Sequence, residues 1–261
     1  MGYPRILISL PIYKREWIVK YWLECIENQD IPLANIGFQF LLGEDDSSTH
    51  DVLWDWQSAH PECFLFDAQI DISSPHQTHE EGIRAWHKEE YLRMVSFRND
   101  LLERASERID SFDFYFSLDS DVLLERPDTL SVLSGHKKDV VSPLMFMKPT
   151  DELFPNSMDW DILPGTGDQS KARRNNVSTG LVKIDVPMAA VMMSPDVVAK
   201  TRYSWHPQGE DIGFAGNLYL DGFDSYIDYD LYTPHIMHRY QLADYLANGD
   251  PRRSIKVKET I

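Results

Sequence analysis

The chain has 261 residues, of which 43% are hydrophobic, enough apolar material for one large α/β core or two small ones. Its 25 Lys and Arg stand against 42 Asp and Glu, a formal net charge of -17, and such a surface repels phosphate backbones and argues against nucleic-acid binding by bulk charge. Twelve Tyr, twelve Phe and seven Trp exclude a disordered chain and suit planar or sugar-like ligands.

In chain order, "RILISLP" (Arg5 to Pro11) is a short apolar run bounded by proline, a buried strand. "REWIVKYWLECIENQ" carries Trp17, Ile18, Tyr21, Trp22, Cys25 and Ile26 at helical spacing. "IGFQFLLG" (Ile36 to Gly43) is a second strand, followed by the acidic turn "EDDSST" and a short helix "HDVLWDWQSA". "CFLFDAQI" is a third strand, and a long helix is expected from about Glu80 to Ile109. "FDFYFSL" and "DVVSPLMF" are the fourth and fifth strands. Unbroken apolar strands alternating with helices predict a mostly parallel central sheet with helices on both faces, a Rossmann-type sandwich.

After Phe146 the rhythm breaks into a long segment rich in Gly, Pro, Asn and Ser, read as a functional or disordered loop as far as Gly180. Further strands are expected in "LVKIDVPMAAVMMS", a helix in "GEDIGFAGNLYLDG", and a last strand or two in "DSYIDYDLYTPHIMH". The chain is thus divided at residues 1–146 and 147–261, two halves of the same domain. Cys25 and Cys63 lack CxxC spacing and are read as thiols of a reducing compartment. No leader peptide and no bilayer-length apolar run is seen, so a cytoplasmic protein is expected. Basic clusters are confined to "KARR" (Lys171 to Arg174) and "PRRSIKVK" near the end.

Ligands of open parallel sheets bind beyond the carboxyl ends of the strands, where "PIYKR", "EDDSST" and "DSD" all fall. Asp119 and Asp121 in "FYFSLDSDVL" can place oxygens around one hard cation, or they simply occupy a turn. His235 and His238 in "TPHIMH" are candidate additional ligands, imidazole suiting Mn2+ better than Mg2+, and His76 and His79 have ligand spacing in a polar loop. Asp211 in "GED", with Glu210 beside it, is either a helix cap or a general base. Arg98 in "SFRNDLLERA" is either a solvated helix residue or a phosphate-binding guanidinium.

In this order the clusters resemble GT-A-fold nucleotide-sugar glycosyltransferases of the family-two type, with some similarity to mannan-polymerase-type transferases. The opening strand with P-x-Y-x-R, the acidic second-strand ending, the R-N helix, the D-x-D motif, the E-D motif and "HIMH" carry the resemblance. It implies that Pro11, Tyr13 and Arg15 line a nucleotide pocket and that Asp45 or Asp46 reads the base or ribose. Arg98 would help to hold the nucleotide or its diphosphate, and Asp119 would face ribose or donor sugar. Asp121, with His238 or His235, would bind Mn2+ or Mg2+, and Asp211 would be the base of an inverting reaction. The implied activity is metal-dependent transfer of a sugar from a UDP- or GDP-sugar to a glycan or other hydroxyl acceptor, with a hydroxylated nucleobase also open. The second-strand ending departs from the commoner D-D-G-S, which leaves open the acid that meets the base. Two other readings are a haloacid-dehalogenase-type phosphatase, with Asp119 as nucleophile, and a non-catalytic sugar- or nucleotide-binding module. Trp160 and Trp205 are candidate sugar platforms.

Overall fold

A computed structural model describes residues 2–71, 88–146, 154–166 and 169–250. The expected positions of His76 and His79, the start of the long helix and the basic tail lie outside these residues. The first half holds strands β1 (Ile6–Ile12), β2 (Ile36–Gly43), β3 (Leu65–Asp71), β4 (Phe114–Leu118) and β5 (Val140–Leu144). Between them lie helices α1 (Glu16–Glu27), α2 (Ser47–Ala59), α3 (Lys88–Ser106) and α4 (Thr129–Gly135). The second half adds β6 (Ser157–Ile162), β7 (Lys171–Arg174), β8 (Leu181–Ile184), β9 (Val186–Pro187), β10 (Ala190–Met193) and β11 (Ser225–Tyr232), with α5 (Pro195–Lys200), α6 (Glu210–Asp221) and α7 (Arg239–Asn248).

The main sheet has the order β3-β2-β1-β4-β10-β5-β11-β8. Parallel pairing joins β1 to β2 and β4, β2 to β3, and β5 to β11, while β10 and β8 run antiparallel to their neighbours. Strands β1 to β5 and β11 therefore share one direction, and β10 is inserted between β4 and β5 against it. In a second sheet, β7-β6-β9, strands β6 and β7 arise from the segment read as a loop.

The two-residue period of β1 divides the core. Ile6, Ile8, Leu10 and Ile12 face one layer with Ile18, Trp22 and Ile26 of α1. Leu7 faces the other, with Leu102, Ala105, Val197, Phe214 and Leu218 of α3, α5 and α6. Trp22 anchors the first layer edge-on to Phe38 and Phe40, at 6.1 and 6.3 Å between centroids. With no exposed surface, Trp22 truncated to Ala would cost about 3–5 kcal/mol. Both layers clamp the strands that carry the polar clusters at their ends. Among the described residues, no helix is long and apolar enough to cross a membrane.

Candidate active site

Because β1, β2, β4 and β11 run the same way, their carboxyl ends open on one edge of the sheet. Pro11 pairs with Leu41 inside β1, and the chain then turns through Tyr13, Lys14 and Arg15. Lys14 takes a left-handed backbone, φ 52°, which a non-glycine residue adopts only when its surroundings hold it there. The holding group is Asp46: its carboxylate accepts from the backbone N–H of Lys14 and, at 3.3 Å, from that of Thr49 at the start of α2. Thr49 returns the bond, its hydroxyl accepting from Arg15 N–H at 3.0 Å. Asp46 is 2% exposed and caps α2. Asp45 is exposed, with the Tyr13 hydroxyl donating to it at 3.0 Å and Lys14 Nζ at 3.5 Å. The two neighbouring acids thus divide the work, one fixing the turn and one facing outward.

Beyond β4 the two aspartates meet different partners. Asp119 Oδ1 lies 3.1 Å from Arg98 Nη2, and Asp121 Oδ2 lies 3.3 Å from Arg15 Nη2. Arg98 is 5% exposed, and its other contacts are Ser117 Oγ at 2.9 Å and Glu210 Oε1 at 3.7 Å. Its guanidinium also lies 5.4 Å from the ring centroid of Tyr203. This single cation bridges the D-x-D turn to the start of α6.

Gly213 sets the seat of α6. A Cβ there would sit 1.8 Å from the carbonyl oxygen of Ser204, so the helix can approach only as glycine. This approach holds Glu210 and Asp211 against Arg98. Glu210 is 7% exposed, and burial raises its carboxyl above the ordinary range, Arg98 opposing. Burial, then the Glu210 charge, pushes Asp211 up as well, with Arg98 pulling down and Asp119 adding to the rise. One guanidinium compensates three acids here, so a proton is held more tightly than on a free carboxyl.

The end of β11 reaches the same turn across about 14 Å of sheet, three strand spacings. Val122 and His235 form an isolated antiparallel bridge, flanked by Ile236 N–H to the Asp121 carbonyl at 2.7 Å and Leu123 N–H to the Pro234 carbonyl at 3.0 Å. The pairing delivers His235 Nε2 to 3.5 Å from Asp121 Oδ1, with these residues 5% and 4% exposed. His238 stands instead at the start of α7, in a reciprocal cap with Gln241 and stacked on Tyr240. Among the described residues no three acids, histidines or cysteines converge on one point. Asp121 and His235 nonetheless offer an oxygen and a nitrogen side by side, a donor pair that suits Mn2+.

Residues 3–211 match the family model described as glycosyltransferase family 25, N-terminal domain. The chain belongs to this family. A glycosyltransferase 25 family member of Aedes aegypti is 21% identical over 257 residues, covering 95% of this chain and 42% of the relative. The chain therefore spans less than half the length of that curated relative. The fold is that of the GT-A enzymes. A mannosyltransferase from Pyrobaculum calidifontis, solved in complex with GDP-Man and Mn2+, superposes with a TM-score of 0.57 at 13% identity over 96% of this chain and 66% of that one. TarS 1-349 of S. aureus, in complex with UDP, gives a TM-score of 0.51 at 14% identity over 95% and 67%.

Several residues that build this candidate site were not singled out from the sequence. Ser117, Tyr203 and Gly213 hold Arg98 and α6 in place, and only Gly213 left a trace, as the glycine inside "GEDIGF". Trp160 is 9% exposed and packs with Val186 and Ile212, a core position. Trp205 is 38% exposed, with Lys88 Nζ 4.8 Å from its ring.

Proposed function

We propose that this chain moves a sugar from a nucleotide-diphosphate donor to an acceptor hydroxyl, with a divalent cation, Mn2+ or Mg2+, held by Asp121 and His235. The observation that carries the reading is the delivery of His235 to Asp121 at the edge where β1 and β2 also present Tyr13, Arg15 and Asp45. The complexes of the two structural neighbours, one with GDP-Man and Mn2+ and one with UDP, support a nucleotide donor in this fold. A bound cation would neutralise the diphosphate and make it a better leaving group.

The chain's own residues then take separate roles. Asp45 and Tyr13 form the outward face that meets base or ribose, and Asp46 keeps their turn in shape. Arg15, next to Asp121, lies where a diphosphate would be neutralised. Asp119 faces the ribose or the donor sugar, and buried Arg98 positions it rather than leaving it to swing. His238 caps α7 and is the lesser metal candidate. Asp211 is the base on the acceptor hydroxyl if the anomeric centre inverts, and its raised pKa makes it a stronger one. Glu210, more deeply buried, anchors Arg98. A cytoplasmic location is consistent with two free cysteines whose thiols burial pushes up to about 12 at Cys25 and about 11 at Cys63, both poorly reactive.

A panel of UDP- and GDP-sugars assayed for hydrolysis with and without Mn2+ tests the proposal. Release of nucleotide from at least one donor, dependent on the cation, is expected. Hydrolysis of phosphate monoesters with every sugar donor left intact would favour the phosphatase alternative.

A further inference from the structure

The one basic cluster among the described residues that the donor site does not use is "KARR", which forms β7. It borders a surface depression of about 270 Å³ between the small sheet and the β8–β11 edge of the large one. Arg173, Arg174, Asn175, Asn176, Lys183 and Tyr229 are among its lining residues. We propose that this depression is a subsite for a negatively charged saccharide acceptor, one bearing a carboxylate, sulfate or phosphate group; the proposal rests on the glycosyl-transfer reading above.

Charge is the first argument. On a chain of formal charge -17 the lining carries three cations against one acid, Asp159. Two of the cations hold partners that a ligand can displace: Arg173 Nε meets Asp161 at 3.0 Å and Lys183 Nζ meets Asp224 at 2.6 Å, all four side chains well exposed. Exposed pairs of this kind are worth little. Arg174 pairs with no carboxylate among the described residues; its guanidinium lies 4.5 Å from the ring centroid of Phe154, a contact that leaves its charge uncompensated by an acid.

Composition is the second. Val182 and the buried ring of Tyr229 give the depression an apolar side, and Asn175, Asn176 and Ser178 supply neutral donors and acceptors. Hydroxyls need such groups, whereas a simple ion does not. Position is the third. Tyr229 lies on β11, and six residues on, the same chain reaches His235 at the proposed donor site, a span of at most about 20 Å. A short oligosaccharide covers that distance. The chemistry of an edge strand blunted by cations explains Lys171 and Arg173 on β7 and Lys183 on β8 equally well, but not Asn175 and Asn176 lining the same space.

Calorimetric titration at low salt with sialyllactose, lactose and inorganic phosphate tests the subsite without any need for turnover. Sialyllactose is expected to bind more tightly than either, and Arg174→Gln to weaken it about ten-fold, the size of one lost charge-assisted hydrogen bond. Lys20→Gln, the same change of charge on α1, should leave binding as it was. Equal affinity for sialyllactose and lactose, equal affinity for phosphate alone, or an equal loss in both variants would each overturn the proposal. Donor hydrolysis by the parent protein is measured alongside. Its failure would remove the transferase reading, and with it the acceptor role, while intact hydrolysis without sialyllactose preference would remove the subsite alone.

Discussion

His235 Nε2 lies 3.5 Å from Asp121 Oδ1, brought there by a two-stranded bridge between the segments that follow β11 and β4. The residues are almost without solvent, so a cation between them would be shielded from competing water. His235→Ala should raise the Mn2+ concentration needed for half-maximal donor hydrolysis by at least about ten-fold. His238→Ala should instead lower Tm through α7 and leave the metal requirement close to that of the parent. The reverse pattern would reassign the ligand.

Arg98 is the only guanidinium described between Asp119 and Glu210. Replacing it with Met strands buried carboxylates and should cost about 3–5 kcal/mol, a fall in Tm on the order of 10 °C. Arg98→Lys keeps the charge but not the fork that reaches Ser117 and both acids, and should recover only part of the loss. Thermal melting of the two variants at equal concentration checks this.

Asp211 gives a pH dependence with a definite sign. Its folded pKa is raised, so the native state binds more protons than the unfolded chain once pH exceeds about 4, and stability falls as pH rises through that window toward the folded value. Asp211→Asn removes the charge and should melt higher than the parent near neutral pH, with the gap closing at low pH. The same variant should lose acceptor transfer if it is the base. A gap that widens at low pH would contradict the assignment.

Asp45 and Asp46 separate stability from binding. Asp46→Ala removes the cap of α2 and the prop under Lys14, costing about 1–2 kcal/mol. Asp45→Ala touches only exposed partners, so it should raise the donor KM with Tm unchanged. Kinetics and melting of both variants distinguish the two roles.

The strands of the first half could be read from the sequence because runs such as Ile6–Ile12 are buried on both faces and therefore apolar without interruption. Their common direction puts Tyr13, Asp45 and Asp119 at one edge of the sheet. The direction of β10 could not be read, since "AVMM" is as apolar in an antiparallel strand as in a parallel one. The β6–β7 hairpin was hidden among charges: Asp159 and Asp161 alternate with Trp160, and Lys171, Arg173 and Arg174 surround Ala172. The helix α7 has its local stop signal in Gly249, which closes its end with φ 72°. What places His235 is long-range, a bridge to Val122 of which residue spacing holds no record, whereas the cap of His238 on Gln241 is local, three residues apart.

Titration of UDP and GDP into the parent protein and Asp121→Asn, each with Mn2+ and with a chelator, bears most directly on the proposed donor site. One nucleotide should bind the parent only when Mn2+ is present, and the variant should lose that dependence together with about ten-fold or more of the affinity. Nucleotide binding that is the same in chelator, and the same in Asp121→Asn, would contradict a metal-assisted site at this edge.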